Sequence, residues 1–210
     1  LRCLLLLVTC GALLLTCCRR EEGTTAPEGA RKDYFPMAKG NMWVWAGGVL
    51  PASGDSVRWE VRDRTVTATG ELAWNVRTER FWGEKKRRVI DSCNVLTDKS
   101  LMLLYMNKAD PRPDTVLNYP LDLGKSWNVT HLAGGKILRR SRVAGREDVD
   151  TPYGSFNGVL RVDSEDRNVE KDTLLMSTTD WYAPGVGRVM SRVQARGEVW
   201  EMRLVTARLR

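Results

Sequence analysis

The chain is predicted to be mostly β: a curved antiparallel sheet forming an open barrel or a sandwich, with few or no helices. Three observations carry this. Apolar residues of the body recur with a period of two, turn residues punctuate them at short intervals, and no long stretch carries a helical stripe. Val57, Trp59 and Val61 alternate with Arg58, Glu60 and Arg62, and Leu72, Trp74 and Val76 alternate with Ala73, Asn75 and Arg77. Such alternation gives each strand one face for a core and one for water, which an antiparallel sheet accommodates by curling on itself.

The first element lies outside that sheet. Leu4 to Thr16 is an apolar run that ends in Cys17 and Cys18 and gives way at once to Arg19, Arg20, Glu21 and Glu22. It falls short of the about 20 residues that span a bilayer and matches the roughly 7–15 of a signal-peptide core. The residues before the cysteines resemble the bacterial lipobox, in which an apolar and two small residues precede a cysteine that receives lipid. With Cys18 as acceptor the triplet is Leu15, Thr16 and Cys17; with Cys17 it is Leu14, Leu15 and Thr16. Residues 1–17 therefore read as a lipoprotein-type signal peptide, against the plainer reading of a secretory signal with incidental cysteines. Arg2 is the only charge ahead of the core and the chain opens on Leu1, so a truncated start and an unusual start codon both stay open. Acyl chains contribute about 0.8 kcal/mol per buried methylene, so several on one cysteine hold a protein at a membrane almost permanently.

Residues 18–33 are rich in Glu, Gly, Thr, Ala and Pro and offer almost nothing to pack, as expected of a solvated linker. The remainder, 34–210, is a single antiparallel β domain of about 177 residues, large enough to bury most of its apolar surface. After Val57 to Val61 and Leu72 to Val76, further strands are expected at Asn41 to Ala46, Thr65 to Thr69, Arg88 to Ser92, Ser100 to Asn107 and Lys136 to Val143. The last four are Gly158 to Asp163, Thr173 to Thr178, Gly187 to Val193 and Glu198 to Leu209. Asp55, Gly70, Gly83, the span Asp110 to Asp114, Gly124, Gly134, Gly135, Gly154 and Gly185 supply the turns. Leu101 to Met106 is apolar on both faces, so that strand is expected to be covered on both.

Four segments carry a resemblance. They are Tyr34, Phe35 and Pro36 through Gly40, Asn41 and Trp43; Pro120 and Leu121 through Gly124 and Trp127; Thr151 to Phe156; and Trp181 to Gly187. In this order they resemble a family of bacterial envelope proteins, often lipoproteins and mostly of unknown function. The resemblance implies a curved sheet similar to the unclosed barrels of the lipoprotein-localisation carriers, with no catalytic residues to carry over. Tyr153 departs from it, since the family commonly has a small residue there.

The cysteines agree with export. Cys3, Cys10, Cys17 and Cys18 belong to the leader and leave Cys93 alone in the body, so no disulfide framework is available. Were Cys17 the lipid acceptor, Cys18 would survive to pair with Cys93; a buried, inert thiol is the expectation instead. The single histidine, His131, excludes His-rich metal sites and has no nucleophile motif around it. Glu147, Asp148 and Asp150, and Asp163, Glu165 and Asp166, lack the spacing of a calcium loop. No enzyme activity, cofactor or metal is expected. The net charge of +7 peaks at Lys85, Lys86, Arg87 and Arg88, a run that fits a solvated hairpin tip or contact with anionic headgroups but not nucleic acid, lacking interleaved aromatics.

Eight tryptophans against three phenylalanines is the most pointed compositional feature. The indoles either fill a curved sheet's core or line a concave face that holds a ligand. Trp43 and Trp45 share one face of their strand and Val44 takes the other; should Val44 face the core, both indoles would be exposed or cleft-lining. Trp43, Trp45 and Trp181 are thus the candidate ligand-binding residues, and Cys18 and Cys17 the candidate lipid attachment. The expected protein is exported and tied through its lipid to the cell membrane or outer membrane of a bacterium. There it acts as a binding module for a lipid or other apolar ligand, or alternatively as a structural or assembly lipoprotein that binds an envelope protein.

Overall fold

The computed structural model describes residues 33–210 apart from 49–53, 68–69, 83–86, 97–99, 106–112 and 133–135. The signal segment, the linker, Cys17 and Cys18 lie outside the described residues, as do Lys85, Lys86 and the side chains of Leu101 to Tyr105 and His131.

Among the described residues every regular element is a strand. The first six are β1 (Met42–Gly48), β2 (Asp55–Val66), β3 (Leu72–Trp82), β4 (Arg87–Leu96), β5 (Ser100–Tyr105) and β6 (Asp114–Asn118). The second six are β7 (Ser126–Leu132), β8 (Ile137–Thr151), β9 (Gly154–Asn168), β10 (Thr173–Ala183), β11 (Gly187–Ala195) and β12 (Glu198–Arg208). They form one sheet in the order β6-β5-β4-β3-β2-β1-β12-β11-β10-β9-β8-β7, and every pair is antiparallel. Each half of the chain is thus a meander of hairpins, and the two halves join through β1 and β12. With one sheet rather than two, the open barrel is the observed alternative and the sandwich is not.

Bulges bend the long strands. The register shifts between Val61 and Arg64 in β2, between Val44 and Trp45 in β1, and twice in β8, between Val143 and Gly145 and between Glu147 and Val149. Each extra residue adds local twist, which is how a wide sheet curls. The bulge in β2 also explains why two expected strands are one element. The outer strands β6 and β7 come together without a ladder between them: the Trp127 indole N–H donates to the Thr115 carbonyl at 3.3 Å, and Lys125 Nζ donates to Asn118 Oδ1 at 3.5 Å.

The core sits inside the curl, and the segment before β1 closes it. Phe35 packs with its ring 4.9 Å from that of Trp43 and 5.6 Å from that of Trp59, and Trp45 meets Trp59 edge-on at 5.8 Å. Trp43 and Trp59 are direct cross-strand partners, which places both rings on one face. The Gly185 N–H donates to the Asp33 carbonyl at 2.7 Å, Asn41 Nδ2 to the Pro36 carbonyl at 2.9 Å, and the Arg210 N–H to Asn41 Oδ1 at 2.9 Å. The opening motif therefore packs against the Trp181 to Gly187 corner and the chain end. Gly187 lies so close that a Cβ there would stand 3.3 Å from Trp43 Nε1 and 3.5 Å from the Phe35 ring, at a φ of +108° that disfavours other residues.

Candidate functional site

Among the described residues, two cavities of the curl share lining residues. The first, about 370 Å³, is lined by Phe35, Trp59, Arg80, Arg139, Asp180 and Tyr182, with hydroxyls of Thr115, Ser141, Ser164, Thr178 and Ser191 between them. The second, about 330 Å³, is lined by Trp45, Val193, Trp200 and Met202 together with Gly48 and Asp55. Val57, Arg188, Ser191 and Val193 belong to both. The first chamber is the more polar of the two and the second mainly apolar, and each falls in the roughly 300–1,000 Å³ range of small-molecule sites.

Strand register builds the polar chamber. Arg139 and Asp166 are direct partners across β8 and β9, and so are Ser141 and Ser164. Arg139 Nε and Nη2 donate to the two Asp166 carboxylate oxygens at 2.6 and 2.7 Å, a forked pair with good geometry. The two serine hydroxyls lie 2.8 Å apart. Alternation along β10 points Thr178, Asp180 and Tyr182 inward, and burial pushes the Tyr182 phenol well above its ordinary pKa. Arg188 follows the Gly187 corner. Its guanidinium carbon lies 5.0 Å from the Trp45 ring centroid and 5.9 Å from that of Trp59, and its Nη1 is 3.6 Å from Asp180 Oδ1.

Val44 does not face the core, so the condition under which Trp43 and Trp45 would both be exposed or cleft-lining is not met. They are 0% and 1% exposed, and it is their face of β1, not that of Val44, that meets the core. Their indole N–H groups donate to the carbonyls of Val186 at 2.6 Å and Arg188 at 2.7 Å. Two large rings whose N–H groups reach carbonyls at that corner satisfy both burial and hydrogen bonding by turning inward. Trp45 lines the apolar chamber; Trp43 and Trp181 line neither. Trp181 is buried on the other face of β10, where its N–H donates to Glu147 Oε2 at 2.8 Å. That bond and Arg161 hold the Glu147 carboxyl below its ordinary pKa. Sequence reasoning missed Arg188 and Arg139, and the signal available for the second was an arginine on the inward phase of a strand.

Of the acidic groups considered for calcium, Glu147, Asp163 and Asp166 are engaged with arginines. Arg161 bridges Glu147 at 2.5 Å and Asp163 at 2.8 Å, and Asp166 belongs to Arg139. Cys93 is 2% exposed, and burial pushes its thiol up to about 11, too high for a nucleophile at neutral pH. Arg88, at the end of the basic run, pairs with Glu79 at 2.9 Å. Among the described residues no group of three or more His, Cys, Asp or Glu is placed to hold a metal ion.

No family model and no curated protein matches the chain. Among solved structures it is similar to a Bacteroides fragilis protein described as exported, with a YmcC-like fold, at 13% identity over 83% of this chain and 98% of that one, TM-score 0.50. A Parabacteroides distasonis protein described as a lipoprotein aligns at 14% identity, 83% and 98% coverage and TM-score 0.44. A β-barrel-like domain of unknown function from Brucella abortus aligns at 7% identity, 84% and 100% coverage and TM-score 0.45. The first likeness establishes a shared fold. It brings no site residues with it.

Proposed function

We propose that the protein is a lipid-anchored extracytoplasmic binding module, without catalysis of its own, whose open barrel holds a lipid or other ligand with a large apolar part. The observation that carries this is the pair of adjoining chambers, because a domain with a purely structural role fills its interior at close-packed density. Cys18 or Cys17 carries the anchor and residues 19–33 the spacer, in keeping with the description of the Bacteroides fragilis structure as exported. The four sequence motifs serve mainly architecture in this reading: they cap the barrel and close its seam, and of their residues Phe35 and Tyr182 also line the first chamber.

A second reading, an envelope lipoprotein that docks a protein partner, draws on Val66 and Leu72, cross-strand partners that are 67% and 57% exposed. The deciding experiment is a native mass of the purified protein alongside mass spectrometry of its organic extract. A stoichiometric lipid, released on extraction and taken up again by the emptied protein, is expected, together with a chain mass that includes acyl groups on a cysteine. An empty protein that takes up no lipid sends the search to protein partners.

A further inference from the structure

Arg139 and Arg188 face the same interior but are satisfied to different degrees. Arg139 has both prongs on Asp166. Arg188 has no such mate: its Nη1 stands 3.6 Å from Asp180, beyond a good hydrogen bond, while Arg188 Nε and Asp180 Oδ1 are buried without partners. The Arg188 side chain is only partly buried, but its Nε is out of reach of water and short of an acceptor, which is unfavourable, and a ligand that brings acceptors removes the deficit. Arg80, placed on the same chamber through its pairing with Val57, adds a second positive charge and has no ion pair among the described residues. Against these two cations the chamber wall offers the single carboxylate of Asp180, since Arg139 is already neutralised by Asp166.

Beyond Arg188 the chemistry changes. Trp45, Val193, Trp200 and Met202 form an apolar chamber that begins where the guanidinium lies. A molecule seated across both chambers would have an anionic end at Arg188 and a hydrocarbon end along these side chains.

We propose that the site takes a single-chain amphiphile with an anionic head, a carboxylate or a phosphate ester, with Arg188 reading the head and Asp180 acting as its internal competitor. The proposal rests on the reading that the barrel interior binds a ligand, and it adds the ligand's charge and orientation. Binding replaces the loose Asp180 contact with acceptors better matched to the fork of the guanidinium.

The test is calorimetric titration of the purified full chain, delipidated on a hydrophobic resin, with dodecanoate, dodecyl phosphate and dodecanol below their aggregation limits. The expected result is at least one anionic probe binding about tenfold or more tighter than the alcohol, the size of one charge-assisted hydrogen bond. The tighter of the two anions names the head. In Arg188→Gln that preference disappears. In Asp180→Asn, which keeps the cation and removes its competitor, the anionic probes bind several-fold tighter and dodecanol is unchanged. Circular dichroism establishes that each variant is folded, and should Arg188→Gln not fold, the Asp180→Asn result decides alone. Equal binding of all three probes overturns the head-group assignment and leaves the cavity reading standing; no binding of any probe overturns both.

Discussion

Trp43 shows how a single side chain can look functional in sequence and be structural in space. Its ring is fully buried against that of Phe35, and its N–H donates to the Val186 carbonyl at the Pro184–Val186 turn. Trp43→Phe keeps an aromatic ring but deletes the donor and leaves that carbonyl unpaired. We expect a loss of about 1–3 kcal/mol, read as a lower urea midpoint with an unchanged slope. An unchanged midpoint would mean that the bond contributes nothing. Sequence reasoning placed Trp43 and Trp45 correctly on a common face but left open which face that was. Alternation gives relative sides only; the absolute side depends on what packs against the strand, and here that is a corner some 140 residues away in the chain. Cys93 was legible by contrast, because a lone cysteine flanked by strand residues needs only burial to become inert.

At the scale of elements, strands with strict alternation were readable and strands that depend on partners were not. β6 has only Val116 and Leu117 as apolar residues and follows a proline-rich turn, so nothing local marks it as a strand. β7 carried a signal, Trp127 and Val129 against Asn128 and Thr130, that was there to be read. β8 and β9 run 15 residues each, well beyond the expected Lys136 to Val143 and Gly158 to Asp163, because a paired ladder and arginine bridges satisfy the polar residues that follow. β1 is the element on which both halves depend, since it joins the two meanders by pairing with β2 and β12. Gly47 makes that junction feasible. A Cβ there would overlap the Glu201 backbone carbonyl, and its φ of +154° is one that other residues rarely adopt. Gly47→Ala is therefore expected to destabilise by about 1–3 kcal/mol or more and to speed hydrogen exchange first in β1 and β12. Uniform exchange across the sheet would contradict that junction role.

For the whole molecule, the arginine bridges tie stability to pH. A hydrogen bond from Arg88 holds Glu79 below its ordinary value of 4.5, and one from Trp181 does the same for Glu147. For Asp163 and Glu201 burial works upward, but Arg161, and Arg192 with Arg203, more than offset it and the net direction is again down. A carboxylate whose pKa is depressed by folding binds fewer protons folded than unfolded, so its stabilisation is complete above the unfolded value and is lost as pH falls through the folded one. The urea midpoint should thus be flat near neutrality and decline progressively below about pH 4.5, the ordinary glutamate value. A midpoint that rises on acidification would refute the assignment. The cavity pair belongs to this scale as well, because its walls come from strands in both meanders and from the segment ahead of β1. By itself the sequence determined the mostly β character and the run of most strands, since these depend on local hydropathy, period and turn chemistry. Only the tertiary structure decided that Trp43 and Trp45 face inward and that Arg188 stands half-satisfied between a polar and an apolar chamber, because those facts depend on register and closure between residues far apart in the chain.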